Sequence, residues 1–505
     1  MDTSNKKIAL NTIVVYVRIF ITMVIGLLTS RFVLQALGAS DFGLYNVVGG
    51  VIAMLSFISS SLAASTTRFL NYEMGKPDGN TNRVFNVSLL IHAAFMLIIL
   101  VLAETIGVFY ILEYLNVEPG KEADSMFVYQ VSTIVACIGL FNIPYQSLFI
   151  AHEKFTAIAI IDIINSIIKL VMVLCLLFFK GNALRFYALS MSLMTLFSFA
   201  AYHLLAKKYW PDTIKYSFIR CKKYYKDILV FNNYNLLGTV SLMVRNQGSN
   251  MLINFFFGTT VNAAYAIGNT VMNYVNMFVA NFDTAAGPQI TQNISAGNRD
   301  RYMSLCSMTC RMCILLMIVV FFPLISELDF ILHAWLGSEL PEYTEIFCKC
   351  TLWVAVISAT SGGITQLING LGKIKWFKIE VSVLFVMCIP IGYLLCKNDY
   401  PSYYIILLFI ASDIISRVIQ LLLLRKIDGL DIMHFVKQAY LRPSFVFIIM
   451  YCILSIYEYM QIEQSIARIA GVAIIFLLSG VICLFVGLTT TERSKIIPYI
   501  INKIK

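Results

Sequence analysis

Seven basic side chains stand inside stretches of sequence that are otherwise apolar: Arg18, Arg31, Lys169, Arg245, Arg311, Lys349 and Arg417. Asp162, Asp283, Glu380 and Asp413 are the principal acids in the same surroundings. A charge at the centre of a bilayer costs about 2.5 kcal/mol or more, so such residues face a protein interior or a wet cavity and mark where function resides. Arg245 sits at helical spacing with Gly238, Ser241 and Ser249, and Asn246, Gln247, Asn250 and Asn254 widen that polar face. Asn262, Tyr265, Asn269, Asn273 and Asn276 then fall on one side of a helix. A guanidinium is a planar fork of donors suited to phosphate, whereas amides and hydroxyls suit hydroxyl-rich groups. The chemistry these types imply is recognition of an anion bearing sugar-like groups, in a cationic cavity of Arg18, Arg245 and Arg31 beside a sugar-facing stripe. Two plainer roles compete: Asn can bond neighbouring helices, and Arg31 and Arg311 lie close enough to span ends to snorkel.

Asp162, Asn165, Ser166 and Lys169 share one helical face and read as a charge-balanced strip or a proton or cation relay. Asp413 and Arg417 are four apart, the favourable order for a structural intrahelical pair. Cys306, Cys310 and Cys313 also share a face, but no His or carboxylate joins them, so they read as packing, with no metal site and no cofactor. Enzyme signatures fail on inspection. Asp41-Phe42-Gly43 lacks the partner motifs of a kinase, Gly372-Lys373 follows Leu367 where a phosphate loop needs Gly, and the five His residues are scattered. The protein reads as a transporter and not an enzyme.

The elements that must position these residues are membrane helices. Hydrophobic types make up 59% of the 505 residues and charged types 13%, about half the share in soluble proteins. About fourteen stretches between residues 10 and 487 are long and apolar enough to span a bilayer, with no room for a soluble domain. The net charge of +10 follows topology. With the N-terminus inside, 26 Lys and Arg residues fall in cytoplasmic segments, five in outer segments and seven within spans, as the positive-inside rule requires. No nucleic-acid partner is implied, and both termini are expected in the cytoplasm.

The halves resemble each other at an offset of 220: Gly38 matches Gly258, Tyr45 matches Tyr265, Val51 matches Val271 and Gln146 matches Gln366. Six intervening spans make these parallel repeats, an arrangement in which transporters hold substrate between lobes and rock one against the other. The expected fold is an all-α integral membrane protein with two parallel six-helix lobes and a C-terminal helix pair. The expected boundaries are an N-terminal lobe at 1–206, a basic cytoplasmic linker at 207–228 suited to anionic headgroups, a C-terminal lobe at 229–424, and the helix pair with a basic tail at 425–505. Pro144, Pro390 and the Gly362-Gly363 pair interrupt spans and suit bends.

Three stretches carry a family resemblance: RFVLQALGASDFGLYNVVGGV with SSSLAASTTRF, QGSNMLINFFFGTTVNAAYAIGNTV continuing to NFDTAAGPQIT, and LHAWLGSELPEY. In these the chain resembles the polysaccharide flippases, the Wzx-type O-antigen and capsule repeat-unit transporters of the multidrug/oligosaccharidyl-lipid/polysaccharide exporter superfamily. The resemblance implies a multi-pass protein of the bacterial inner membrane. It would move an oligosaccharide on undecaprenyl pyrophosphate between leaflets by alternating access, for lipopolysaccharide or other surface polysaccharide, among membrane lipids and polymerase machinery. By that logic Arg18 and Arg245 meet the pyrophosphate, the Asn stripe meets sugar, and Asp162, Lys169 or Asp283 serves ion coupling. Competing readings are a MATE-like drug or metabolite antiporter, a lipid-linked peptidoglycan precursor flippase and, from another class, a membrane-embedded glycan polymerase or transferase. Single cysteines placed in 113–124 and 328–343 should react with an impermeant thiol reagent from outside the cell; labelling of both only after lysis would overturn the orientation.

Overall fold

The computed structural model describes residues 56–113, 120–336, 340–460, 464–490 and 492–494, together with eleven helical positions between 17 and 37. Among the described residues the chain is helical throughout, and apolar side chains such as Leu97, Val101, Ile106 and Leu477 point outward at more than half exposure. In lipid that exposure is the stable arrangement. A helix satisfies its own backbone, and hydrocarbon outside makes outward Leu and Ile no penalty.

The first compact unit runs from Lys7 to Leu236 and the second from Leu237 to Lys505. The first holds α1 (Ser56–Met74), α2 (Thr81–Glu113), α3 (Glu122–Ala151), α4 (Phe155–Leu177) and α5 (Ala183–Tyr209), the last four at apolar stretches expected to span. Side chains mark several starts: Asn80 accepts from the Arg83 amide and Asn182 from the Arg185 amide, satisfying donors that a helix leaves open. Between α1 and α2, Glu73 is buried, which opposes its charge. Lys76 at 2.7 Å, the Asn80 amide at 3.0 Å and Arg83 at 3.4 Å nevertheless hold its carboxyl below the ordinary range.

The stretch expected as a free linker, 207–228, is tied down. Asn82 Nδ2 donates to the carbonyls of Asp212 (2.8 Å), Thr213 (3.0 Å) and Lys215 (2.7 Å), while Asn86 bonds Lys215 O and the Ser217 amide. The next helix, α6, spans Lys222–Ser295 and includes two expected spans in one rod, broken only at Gly258, whose φ is 80°. An L side chain disfavours that conformation, and Gly accepts it. The boundary between units falls inside α6.

Within the second unit, α7 (Arg299–Ser326) is the most buried of the apolar spans. Around it lie α8 (Leu328–Leu336), the pair α9 (Thr344–Ala359) and α10 (Ile364–Leu371), α11 (Lys375–Lys397), α12 (Tyr404–Asp428), the short α13 (Ile432–Ala439), α14 (Leu441–Tyr459) and α15 (Ser465–Gly487). The Gly362-Gly363 break expected from sequence bends α9 against α10 by 49°. Cys306, Cys310 and Cys313 are all fully buried on α7.

The C-terminal pair is held to α7 by Arg311 near the helix middle and Glu327 at its C-terminal end. Arg311 donates to the Gln438 carbonyl and to Glu492 near the chain end, and Glu327 accepts from Arg468 at 2.6 Å and Tyr457 at 2.7 Å. Arg311 therefore anchors helices and faces no cavity.

Gly363 adopts φ 73°, and a Cβ there would overlap the Cys306 carbonyl oxygen. Gly363→Ala should destabilise the protein by about 2 kcal/mol or more, from left-handed strain and backbone overlap together. Gly480→Ala, whose Cβ meets open space, should be near neutral. Thermal melting of the two variants in one detergent checks the contrast.

Candidate functional site

The second unit encloses a cavity of about 350 Å³ between α6, α9, α10, α11 and α12, and Arg245 of α6, Lys378 of α11 and Arg417 of α12 all line it. Asp413 is the one carboxylate in its wall, and Ser358, Ser361, Thr365 and Asn369 supply neutral polar groups. Lys378 fits because Gly238 carries no side chain: a Cβ at Gly238 would lie 3.1 Å from Lys378 Cδ.

Arg245 is 6% exposed. Its Nη1 donates to Asp413 Oδ1 at 2.8 Å and approaches Ser412 Oγ at 3.4 Å, and its Cζ lies 3.8 Å from the centroid of Phe385 and 4.6 Å from that of Phe409. Stacking on aromatic faces suits the delocalised charge of a guanidinium. Its Nε is buried with no hydrogen-bond partner. Asp413 thus pairs across helices and not with Arg417 on its own helix, as the spacing of four had suggested; a buried cation on α6 competes better for it than a half-exposed one.

Arg417 is held by neutral oxygens, Gln420 Oε1 at 2.7 Å and Thr360 Oγ1 at 3.3 Å. Gln420 and Ser416 in turn donate to Glu380 Oε1 at 2.9 and 3.0 Å, leaving Oε2 buried without a partner. Among the described residues no carboxylate lies within 4 Å of the charged nitrogens of Arg417 or Lys378. Glu380, bonded behind the wall to Ser416 and Gln420, interacts with both cations at longer range, and Asp283 with Arg417, so the excess of cations belongs to the lining itself.

The other residues singled out from sequence lie elsewhere. Arg18 Nη1 is 3.1 Å from Asp162 Oδ2 on α4, so Asp162 is compensated from another helix and not by Lys169 two turns along. Lys169 is half-buried and meets no carboxylate among the described residues. Asp283 seats both oxygens at the α9–α10 break: Oδ1 accepts the Gly363 amide at 2.6 Å and Oδ2 accepts Gln366 Nε2 at 2.9 Å. Asn262, Asn269, Asn273 and Asn276 do not line the cavity. Tyr265, on the same stripe, is 1% exposed in an apolar cluster with Phe347 and Ile253, its hydroxyl 3.5 Å from the Asn246 carbonyl. Packing therefore interrupts the stripe there. Arg31 and the repeat positions Gly38, Tyr45 and Val51 lie outside the described residues.

Lys378 was counted from sequence among cytoplasmic loop charges, and Arg417 was given to a structural pair. The signal available was that Lys378, Val381 and Phe385 recur at steps of three and four; all three line the cavity.

The model of a family described as polysaccharide biosynthesis protein matches residues 8–294, more than half of the chain. The chain belongs to this family. A second model, MatE, matches residues 237–394, which include the α6, α9, α10 and α11 walls of the cavity but not α12. No curated protein matches the sequence. Among solved structures, an outward-facing multidrug resistance MATE family transporter of the MOP superfamily is similar, with TM-score 0.70 and 12% identity over 84% of this chain and 96% of that one. A MATE transporter of Vibrio cholerae superposes with TM-score 0.66 and 16% identity, covering 83% and 96%. A MATE in its straight conformation gives 0.68 and 12%, covering 84% and 96%. The family member described here is thus an all-α, multi-pass membrane protein with the fold of these transporters.

Removing one partner of a buried pair strands a charge, whereas removing both strands none. Arg245→Met should cost about 3 kcal/mol or more, and Arg245→Met/Asp413→Asn should cost less. Unfolding of both variants in the same micelle compares them.

Proposed function

We propose that this protein flips an oligosaccharide carried on polyprenyl pyrophosphate across the bacterial inner membrane, by alternating access, for surface polysaccharide such as O-antigen or capsule. The observation that carries this reading is the cavity wall, with three cations to one carboxylate. A pyrophosphate needs several charge-assisted donors at once, and Arg417 and Lys378 line the cavity with no carboxylate within 4 Å among the described residues. Hydroxyls from Ser358, Ser361 and Thr365 and the Asn369 amide provide donors and acceptors for neighbouring sugar oxygens. Arg18, in the first unit, and Asn262, Asn269, Asn273 and Asn276, which do not line this cavity, are proposed only as separate polar contacts for cargo. Asp162, Lys169 and Asp283 are candidates for coupling to an ion gradient. Both termini are placed in the cytoplasm, and a membrane polymerase would consume the product on the other face.

A MATE-like antiporter is the second reading, favoured by the MatE match over residues 237–394. A cationic drug would meet repulsion in this cavity, so the charge balance favours the anionic cargo.

Deleting the gene should trap lipid-linked oligosaccharide in the cytoplasmic leaflet and abolish surface glycan, and the wild-type chain should restore export. Arg417→Gln, which strands no carboxylate, and Arg245→Gln/Asp413→Asn, which removes both charges of the pair, should each fail to restore export at equal abundance. Unchanged surface glycan in a deletion strain with no second flippase would end the reading.

A further inference from the structure

Glu380 stands behind the cationic wall of the cavity, on the same helix as Lys378. Its Oε1 accepts from Ser416 Oγ at 3.0 Å and from Gln420 Nε2 at 2.9 Å, and Oε2 accepts from no group, so a proton added there displaces no hydrogen bond. Among the described residues it makes no ion pair within 4 Å. What steadies its charge is the longer-range field of Arg417 and Lys378, the two cations that line the cavity without a carboxylate in contact. Gln420 also joins it to Arg417, because Gln420 Oε1 accepts from Arg417 Nη1 at 2.7 Å while Nε2 donates to Glu380. Ser416 and Gln420 themselves line the cavity, so a proton has one side chain to cross between the cavity and the carboxyl. The other charged groups around it are Asp413 on α12 and Arg245 on α6, paired with each other at 2.8 Å, and Asp283, which acts on Arg417 from the α9–α10 break.

We infer that Glu380 takes up a proton when a phosphate-bearing anion enters this cavity, so that anion and proton occupy the second unit together. This rests on the anionic-headgroup reading above and deepens it by naming the group that links binding to pH. An anion seated against Arg417 and Lys378 cancels the field that steadies the Glu380 carboxylate, and its own charge repels that carboxylate through a low-dielectric wall. Protonation removes the repulsion. The proton comes from solvent and neutralises the carboxylate, while the bound anion keeps its own charge. Linkage makes the effect reciprocal: a protonated Glu380 strengthens anion binding by the factor by which the anion strengthens proton binding. Anion and proton therefore assist each other's entry and do not compete, and the loaded cavity holds one negative charge less than the anion alone would bring.

The test uses the purified full-length chain and dimethyl pyrophosphate with one methyl on each phosphate, a probe that does not itself titrate near neutral pH. Titration calorimetry in two buffers of unlike ionisation heat counts the protons exchanged, and wild type should take up roughly one proton or less per anion bound. Glu380→Gln, which resembles the protonated side chain and has nothing to titrate, should take up none. Its affinity should be flat in pH, whereas wild-type affinity should fall as pH rises, leaving Glu380→Gln about tenfold tighter at the alkaline end. Glu380→Asp should keep the uptake with its pH midpoint displaced, and it decides the matter if Glu380→Gln does not fold. Wild-type binding without proton uptake overturns the inference, as does uptake that persists in Glu380→Gln or keeps its midpoint in Glu380→Asp. A wild-type chain that binds no probe at any pH overturns the anionic-headgroup reading and this inference with it, whereas binding without uptake leaves that reading standing.

Discussion

A charge carried into hydrocarbon must meet an opposite charge or a set of hydrogen-bond donors, and much of this structure follows from how that demand is met. Arg245 takes Asp413 and Arg18 takes Asp162, each across helices. Asp283 takes no cation in contact at all and is satisfied by the Gly363 amide and the Gln366 side chain. Between helices in lipid there is little hydrophobic drive, so polar ties and close packing decide which helices stay together. The same constraint makes the exceptions informative. Arg417 and Lys378 line one cavity with no carboxylate in contact among the described residues, Glu380 acting on both only from behind the wall.

Backbone breaks work with these ties. A bent span leaves carbonyls and amides unpaired at the bend, and in a membrane they need local partners. At the α9–α10 break the partner is Asp283, which reaches from α6 to the Gly363 amide. The bend, the buried acid and the glycine that accepts φ 73° therefore form one unit. Because Asp283 fills both oxygens there, an ion-coupling role for it would require the break itself to rearrange. Glu380 differs in having one bare buried oxygen.

Charged ties at the middle and at the C-terminal end of α7 hold the last two helices. Arg311 holds the chain end through Glu492, and Glu327 holds α14 and α15 through Tyr457 and Arg468. In the first unit, Asn82 and Asn86 hold the stretch after α5 against α2 through backbone carbonyls. Long hydrophobic helices thus owe their arrangement to a few polar residues near their ends.

Local periodicity and composition were enough to read the helices, since the demand for about 20 apolar residues per span is written residue by residue. The break at Gly362-Gly363, the burial of Cys306, Cys310 and Cys313, and the presence of Arg245 in a polar wall were legible for the same reason, each being a local departure from its background. Partner choice was not legible. Asp413 lies four residues from Arg417 and 168 from Arg245, yet it pairs with the distant one, because burial between α6 and α12 removes the water that would otherwise share its charge. Lys378 read as a loop cation until packing against Gly238 brought it into the cavity wall. Spacing along one helix states which side chains share a face; which neighbour that face meets depends on how separate helices pack, and only the tertiary structure decided it.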